Sequence, residues 1–193
     1  MHIFGRIIGI GALTATTIAL VACGSDDETP DTATTGTKIG VSAAPSVAQR
    51  PDTPSKGREC VAEDIQVTGD FGTAPTITIP DDCDPPRQLI VKDLTVGSGP
   101  GAEPGQQLTM NYALVTWSDR KTADSSFERG TPFELTLGAG RVIEGWDEGL
   151  VGVQQGSRRL LVVPPELGYG AGGNGIAPYE TLVFVTDAVA VGE

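Results

Sequence analysis

Residues 86–193 predict an α+β fold in which one antiparallel sheet carries a single short helix across its inner face, and three observations lead there. Leu89 to Val96, Leu108 to Trp117, Pro132 to Leu137, Arg159 to Val163 and Leu182 to Val189 all read as strands. Clusters of glycine, proline, aspartate or serine separate them. One stretch interrupts the series, Val142-Ile143-Glu144-Gly145-Trp146-Asp147-Glu148-Gly149-Leu150. There Val142, Trp146 and Leu150 fall at i, i+4 and i+8 with Ile143 at their edge. A helix around Ile143 to Val151 gathers these apolar groups on one face and leaves the acids opposite. The length suffices for one modest core.

The preceding residues divide into three further regions. Residues 1–22 hold one basic residue, Arg6, and then an apolar run from Ile7 to Ala22. The run falls short of the ~20 residues that cross a bilayer, and small residues close it. Its end, Leu20-Val21-Ala22-Cys23-Gly24, resembles a bacterial lipobox. That resemblance implies a lipoprotein signal peptide removed before Cys23, with acyl chains on the Cys23 sulfur. An ordinary signal peptide with an incidental cysteine, or a short signal anchor, are the other readings. Several acyl chains on one cysteine hold a protein firmly to a membrane, at ~0.8 kcal/mol per buried CH₂. Residues 23–57 are rich in Thr, Asp, Pro, Ser, Gly and Ala, with too little apolar surface to offset ordering entropy, so a disordered tether is expected. In residues 58–85, Cys60 and Cys83 are the even pair left once Cys23 is set aside. In an exported protein such a pair reads as a disulfide. Ile65-Gln66-Val67-Thr68 and Thr76-Ile77-Thr78-Ile79 alternate like short strands between them, giving a disulfide-clipped β extension. A zinc site there lacks ligands.

Composition excludes several functions. The net charge is -12, and removing Arg6 with the first 22 residues takes it to -13. So acidic a surface repels phosphate backbones, so no nucleic-acid partner is expected, and it leaves a lipid as the membrane anchor. The single histidine is His2. Downstream of Cys23 there is therefore no Ser-His-Asp or Cys-His nucleophile system and no His-ligated metal site. Gly168-Tyr169-Gly170-Ala171-Gly172-Gly173 fits G-x-G-x-x-G, but Ile176-Ala177-Pro178 breaks the helix a dinucleotide site needs. No cofactor is expected.

The helical stretch has companions in order and spacing: Tyr112, Ala123-Asp124-Ser125-Ser126, Pro132-Phe133 leading to Leu137-Gly138, Tyr169-Gly170-Ala171, and Thr181-Leu182-Val183-Phe184. Together they resemble the FKBP family of peptidyl-prolyl cis-trans isomerases over Pro86 to Val191. The resemblance implies a half-open antiparallel sheet wrapped around one short helix, with the ligand pocket between them. It implies Trp146 as the aromatic floor and Tyr112, Phe133 and Phe184 as walls. Val142 and Ile143 come at the helix start, where the Ile143 amide would donate to a substrate carbonyl. Tyr169 resembles a hydroxyl donor beside the proline, Ile176 an apolar lip, and Asp124 an acid facing the pocket. Asp124, Tyr169 and Trp146 are thus the expected catalytic residues. The bland alternative is core packing for each aromatic and turn capping for Asp124. Two features depart from the pattern: Ala123 stands where the family usually has a phenylalanine, and the loop from Gly170 to Thr181 is short.

An X-Pro bond resists rotation by about 18–20 kcal/mol, and uncatalysed exchange takes roughly tens to hundreds of seconds. No proton or covalent bond need move. A catalyst needs a dry apolar slot that prefers the twisted, less polar amide. This chain has aromatic and aliphatic residues for such a slot and none for acid–base work. The expectation is a monomeric, extracytoplasmic, lipid-anchored isomerase acting on proline-containing polypeptides, with macrolide inhibitors as further ligands. A non-catalytic prolyl-peptide binder on the same scaffold is the rival, and a small-solute-binding lipoprotein a third reading that the chain's length disfavours.

Overall fold

The computed structural model describes residues 54–192. The signal segment, Cys23 and nearly all of the tether lie outside the described residues. Ser55 and Lys56, at the end of the stretch read as tether, already bind Asp84. The Ser55 hydroxyl donates to Oδ2 at 2.5 Å and the Lys56 amide to Oδ1 at 2.8 Å.

The described residues form eight strands and two short α-helices. β1 (Gln66–Thr68) and β2 (Thr76–Thr78) pair antiparallel, Val67 opposite Ile77. A disulfide joins Cys60 to Cys83 with Cα atoms 5.1 Å apart, beside a parallel bridge between Glu59 and Asp84. The remaining strands are β3 (Ile90–Thr95), β4 (Gln107–Thr116), β5 (Thr122–Ser125), β6 (Phe133–Thr136), β7 (Arg158–Val163) and β8 (Leu182–Val191). They form one antiparallel sheet in the order β3-β7-β8-β4-β5. β6 shares the free edge of β4 with β5, taking Gln107 to Met110 while β5 takes Ala113 to Val115. Every run read as a strand is a strand, with ends displaced by at most two residues.

β5 and helix α1 (Ser126–Arg129) are the elements absent from the expectation. β5 is Thr-Ala-Asp-Ser, with no apolar alternation to announce it, and pairing with β4 makes it a strand. The turn of helix after it does carry a signal. Ser125 caps it by accepting from the Glu128 amide, and Gly130 closes it at φ 69°. Ser125 and Glu128 have the S-x-x-E spacing of a capping box, and the closing glycine adopts the left-handed region open to it.

α2 (Glu144–Gly149) is the expected helix and lies across the inner face. Its glycines set how close it comes. A Cβ at Gly145 would stand 2.4 Å from Cγ1 of Val163, and one at Gly149 would stand 2.8 Å from Cδ2 of Leu161. Glycine costs a helix about 1 kcal/mol against alanine. Here it lets the helix axis approach β7, so that Trp146 and Leu150 sink into the core. Arg159 holds the far end, donating Nη1 to the Gly149 carbonyl at 2.9 Å and the Val151 carbonyl at 3.0 Å while its Nε and Nη2 bind Asp93. A cation at a helix C-terminus satisfies carbonyls that have no intrahelical donor.

The sheet is buried on both faces. Leu161, Val163, Leu182 and Phe184 join Leu108, Met110, Tyr112, Trp146 and Leu150 in the inner core. The alternate residues Leu160, Val162, Val183 and Val185 meet Ile65 and Ile79 of the extension in an outer core. Strand periodicity sends neighbours to opposite faces, so β7 and β8 read as continuous apolar runs because both faces are covered.

Candidate active site

A cavity of about 200 Å³ opens where α2 meets the inner face, lined by Tyr112, Leu114, Asp124, Phe133, Arg141, Val142, Ile143, Trp146, Tyr169 and Phe184. That is several times the ~30 Å³ share of one water molecule, room for a prolyl ring. Of the residues expected at the site, the fold gathers Tyr112, Asp124, Phe133, Val142, Ile143, Trp146, Tyr169 and Phe184 around this one hollow. Ile176 is the exception. It packs half-buried against the inner core and does not line the cavity, because the loop carrying it bends back through the Gly173–Ile176 bridge.

Trp146 is 4% exposed and forms the hub of the aromatic set. Its ring centroid lies 5.3 Å from that of Tyr112, 5.4 Å from Phe184 and 5.9 Å from Phe133, each pair edge-to-face. This packing matches the quadrupole preference of aromatic rings and fixes the floor and walls without polar groups. The indole Nε1 is, among the described residues, the one buried side-chain polar atom with no partner in the protein. Such a group costs about 1–3 kcal/mol. Phe133 is more open, at the cavity mouth.

Two donors reach the slot. Ile143 stands at the N-cap of α2 with φ -61° and ψ 148°, and its amide meets no acceptor among the described residues. The first amides of a helix have no intrahelical partner, so this one can receive a carbonyl from outside. Tyr169 lies half-buried beyond the end of β7, after a 3₁₀ turn (Pro165–Leu167).

Asp124 is less free than the sequence suggests. Its Oδ1 accepts from the Ser125 amide at 2.8 Å and from Arg129 Nη1, and its Oδ2 accepts from the Tyr112 hydroxyl. Arg129 Nη2 also donates to the Tyr112 hydroxyl at 2.9 Å, and the guanidinium sits 5.3 Å from the centre of that ring. Burial pushes the Tyr112 phenol above its usual range, and the hydrogen bond to Asp124 adds to this against the opposing Arg129. Its bond to the Tyr112 hydroxyl and the neighbouring carboxylate hold the Arg129 guanidinium charged. The result is a fixed Arg129–Asp124–Tyr112 group that sequence reading missed at Arg129. The one available signal was its place in the last turn of the unrecognised α1.

Ala123 is the extra residue of a β-bulge, because Thr122 and Asp124 face the consecutive residues Val115 and Leu114. It is exposed and does not line the cavity, and Phe127 does not replace a ring there either. A larger hollow of about 550 Å³ lies between the extension and residues 177–181. Lys56, Asp84, Arg87, Arg120 and Glu180 give it charges of both signs, unlike the apolar slot that rotation about an amide demands. Cys60, Asp64 and Cys83 also come together, but the disulfide occupies both sulfurs.

Comparison with known proteins agrees with this geometry. Residues 99–188 match the family model for FKBP-type peptidyl-prolyl cis-trans isomerase. The chain is similar to an FK506-binding protein of Streptomyces anulatus, 49% identical over 111 residues that cover 56% of this chain and 90% of the relative. An FK506-binding protein of Neisseria meningitidis serogroup B is 44% identical over 108 residues, covering 54% of this chain and 97% of the relative. Among solved structures, FkpA from Escherichia coli aligns with a TM-score of 0.50 at 37% identity, covering 54% of this chain and 48% of that one. This chain belongs to the FKBP-type peptidyl-prolyl cis-trans isomerases.

Proposed function

We propose that this isomerase works at an extracytoplasmic membrane surface, where acyl chains on Cys23 anchor it and exported polypeptides are its substrates. In this reading the prolyl ring lies on Trp146 between Tyr112, Phe133 and Phe184. The Ile143 amide receives a substrate carbonyl, and the Tyr169 hydroxyl donates beside it. Asp124 acts from the rim as an oriented carboxylate, its charge balanced by Arg129. The twisted amide loses conjugation and charge separation, so it transfers into such a slot more readily than the planar amide does. That difference is the catalysis. Val142 borders the slot, and macrolides of the FK506 type, for which the relatives are named, compete for it. The protein acts as a monomer.

One observation carries the reading: the hollow that gathers the expected residues has an aromatic floor and walls, and its one carboxylate is already paired. The test is cis-trans exchange of an X-Pro peptide with parent, Trp146→Ala and Tyr169→Phe proteins. Parent acceleration, reduced in both variants, is expected. Peptide binding without acceleration would make the protein a prolyl-peptide chaperone instead. The anchor is tested separately by mass spectrometry of the native protein and by fractionation of Cys23→Ser. Acylated Cys23 as first residue, and loss of the variant from membranes, are expected. A processed Cys23→Ser protein that still partitions like the parent removes the anchor from the proposal.

A further inference from the structure

The cavity has two charged residues in its wall, and only one of them is spoken for. Asp124 is bound by Arg129 and by the Tyr112 hydroxyl. Arg141 lines the same cavity, is exposed, and makes no ion pair or side-chain hydrogen bond among the described residues. The nearest acids do not claim it. Asp147 spends both oxygens on the loop before it, accepting from the Gly138 amide at 2.8 Å and the Gly140 amide at 2.9 Å. Glu144, three residues on, forms no ion pair with it. The bonds from Asp147 also tie residues 138–140 to α2, so the backbone carrying Arg141 is held against the cavity wall. Arg141 is therefore the one charged side chain in the cavity wall without a contact partner among the described residues, on a chain whose net charge is -12.

We infer that Arg141 is a specificity-determining residue that favours substrates with a carboxylate side chain flanking the proline. This rests on the cavity being the catalytic site. A glutamate or aspartate next to the prolyl ring lies at the rim while the ring is inside, within reach of the guanidinium. A lysine there meets like charge. The acidic remainder of the protein opposes an acidic substrate at long range. At physiological salt the Debye length is about 8 Å, so that repulsion is screened more than a contact pair. A solvent-exposed pair of this kind is worth about a two- to five-fold difference in kcat/KM.

The test uses the full chain and peptides carrying Glu, Ala or Lys immediately before or after the proline. Both exchange rate and affinity, from tryptophan fluorescence, are measured for the parent, Arg141→Gln and Arg141→Glu. Taking the Glu-to-Lys ratio within each protein cancels any general loss. The parent should favour Glu over Lys at one flank by about two- to five-fold. Arg141→Gln should bring the ratio near one, and Arg141→Glu should invert it. Identical ratios for the parent and Arg141→Glu at both flanks overturn the assignment. No exchange catalysis of any peptide, but an Arg141-dependent affinity ratio, overturns the catalytic reading of the cavity and leaves Arg141 as the selector of what it binds.

Discussion

The two faces of the sheet are built from the same strands and end differently. Neighbouring residues of β7 show it most directly. Arg158 turns outward, where Nε and Nη2 bind Asp187 at 2.7 and 2.8 Å and Nη1 and Nη2 take the carbonyls of Gly69 and Thr73. The Gly72 amide completes the group by donating to Asp187 at 2.7 Å. Side-chain exposures of 2% and 0% make this a sealed ion pair, and it fastens the loop of the extension to the sheet. Arg159 turns inward and fastens α2, but its partner Asp93 is 36% exposed. The outer face is covered over β7 and β8 by Ile65, Ile79 and the clamp. The inner face is closed only up to Trp146 and leaves a hollow. The covering layer on one side stabilises the sheet, and the layer on the other side displays it to a substrate.

That contrast predicts that damage outside costs stability and damage inside costs catalysis. The largest effect is expected at Arg158→Met, which leaves the buried Asp187 charge unpaired. Denaturant unfolding should show a loss of about 3–5 kcal/mol. The double variant Arg158→Met, Asp187→Leu should recover much of it, since an apolar pair of similar size replaces a buried ion pair at little cost. Next comes the disulfide. Cys60→Ala with Cys83→Ala should cost about 3 kcal/mol for the unconstrained loop. Its kcat/KM at temperatures well below unfolding should stay that of the parent, because neither cysteine approaches the cavity. A parallel loss of catalysis would show that the outer layer shapes the slot.

On the inner face the two glycines of α2 give a graded pair. Gly145→Ala drives its methyl against the stiff Val163 and should cost about 1–3 kcal/mol while displacing Trp146 and lowering kcat/KM. Gly149→Ala meets the end of a flexible leucine, and about 1 kcal/mol of helix propensity offsets the contact, so its effect on both should be small. Equal effects from the two would mean that β7 does not set the helix position. The smallest effect expected is that of pH. Tyr112 titrates above its usual value near 10, so its bond to Asp124 persists through neutral and mildly alkaline solution. A raised folded pKa contributes stability that is fully present below the unfolded value and is lost as pH rises through the folded one. The rate should therefore be flat between about pH 6 and 9, and Tyr112→Phe should remove part of the alkaline loss of stability. A bell-shaped profile in that window would contradict it.

The site was legible where chemistry and period coincide. Val142, Ile143 and Trp146 follow helical spacing, while Tyr112, Phe133 and Phe184 were readable as walls through the family resemblance, since the continuous apolar run around Phe184 does not say which face it takes. Arg129 and Arg141 were not readable. An arginine in an unrecognised turn and an arginine before a helix look like any solvated charge until a tertiary neighbour claims one and leaves the other unclaimed. Ile176 failed for a related reason, since a loop rich in glycine has no period to aim a side chain.

By itself the sequence determined the strand runs, the apolar spacing of the helix that carries Trp146, the cysteine pair and the absence of histidine downstream of His2. All of these depend on local pattern or residue type. Only the tertiary structure decided that the extension covers the outer face of the sheet, because the apolar residues of β7 and β8 read the same whether one face or two are buried. It also decided which carboxylate each arginine meets, because that depends on distances between residues 29 or 66 positions apart in the chain, which no local pattern encodes.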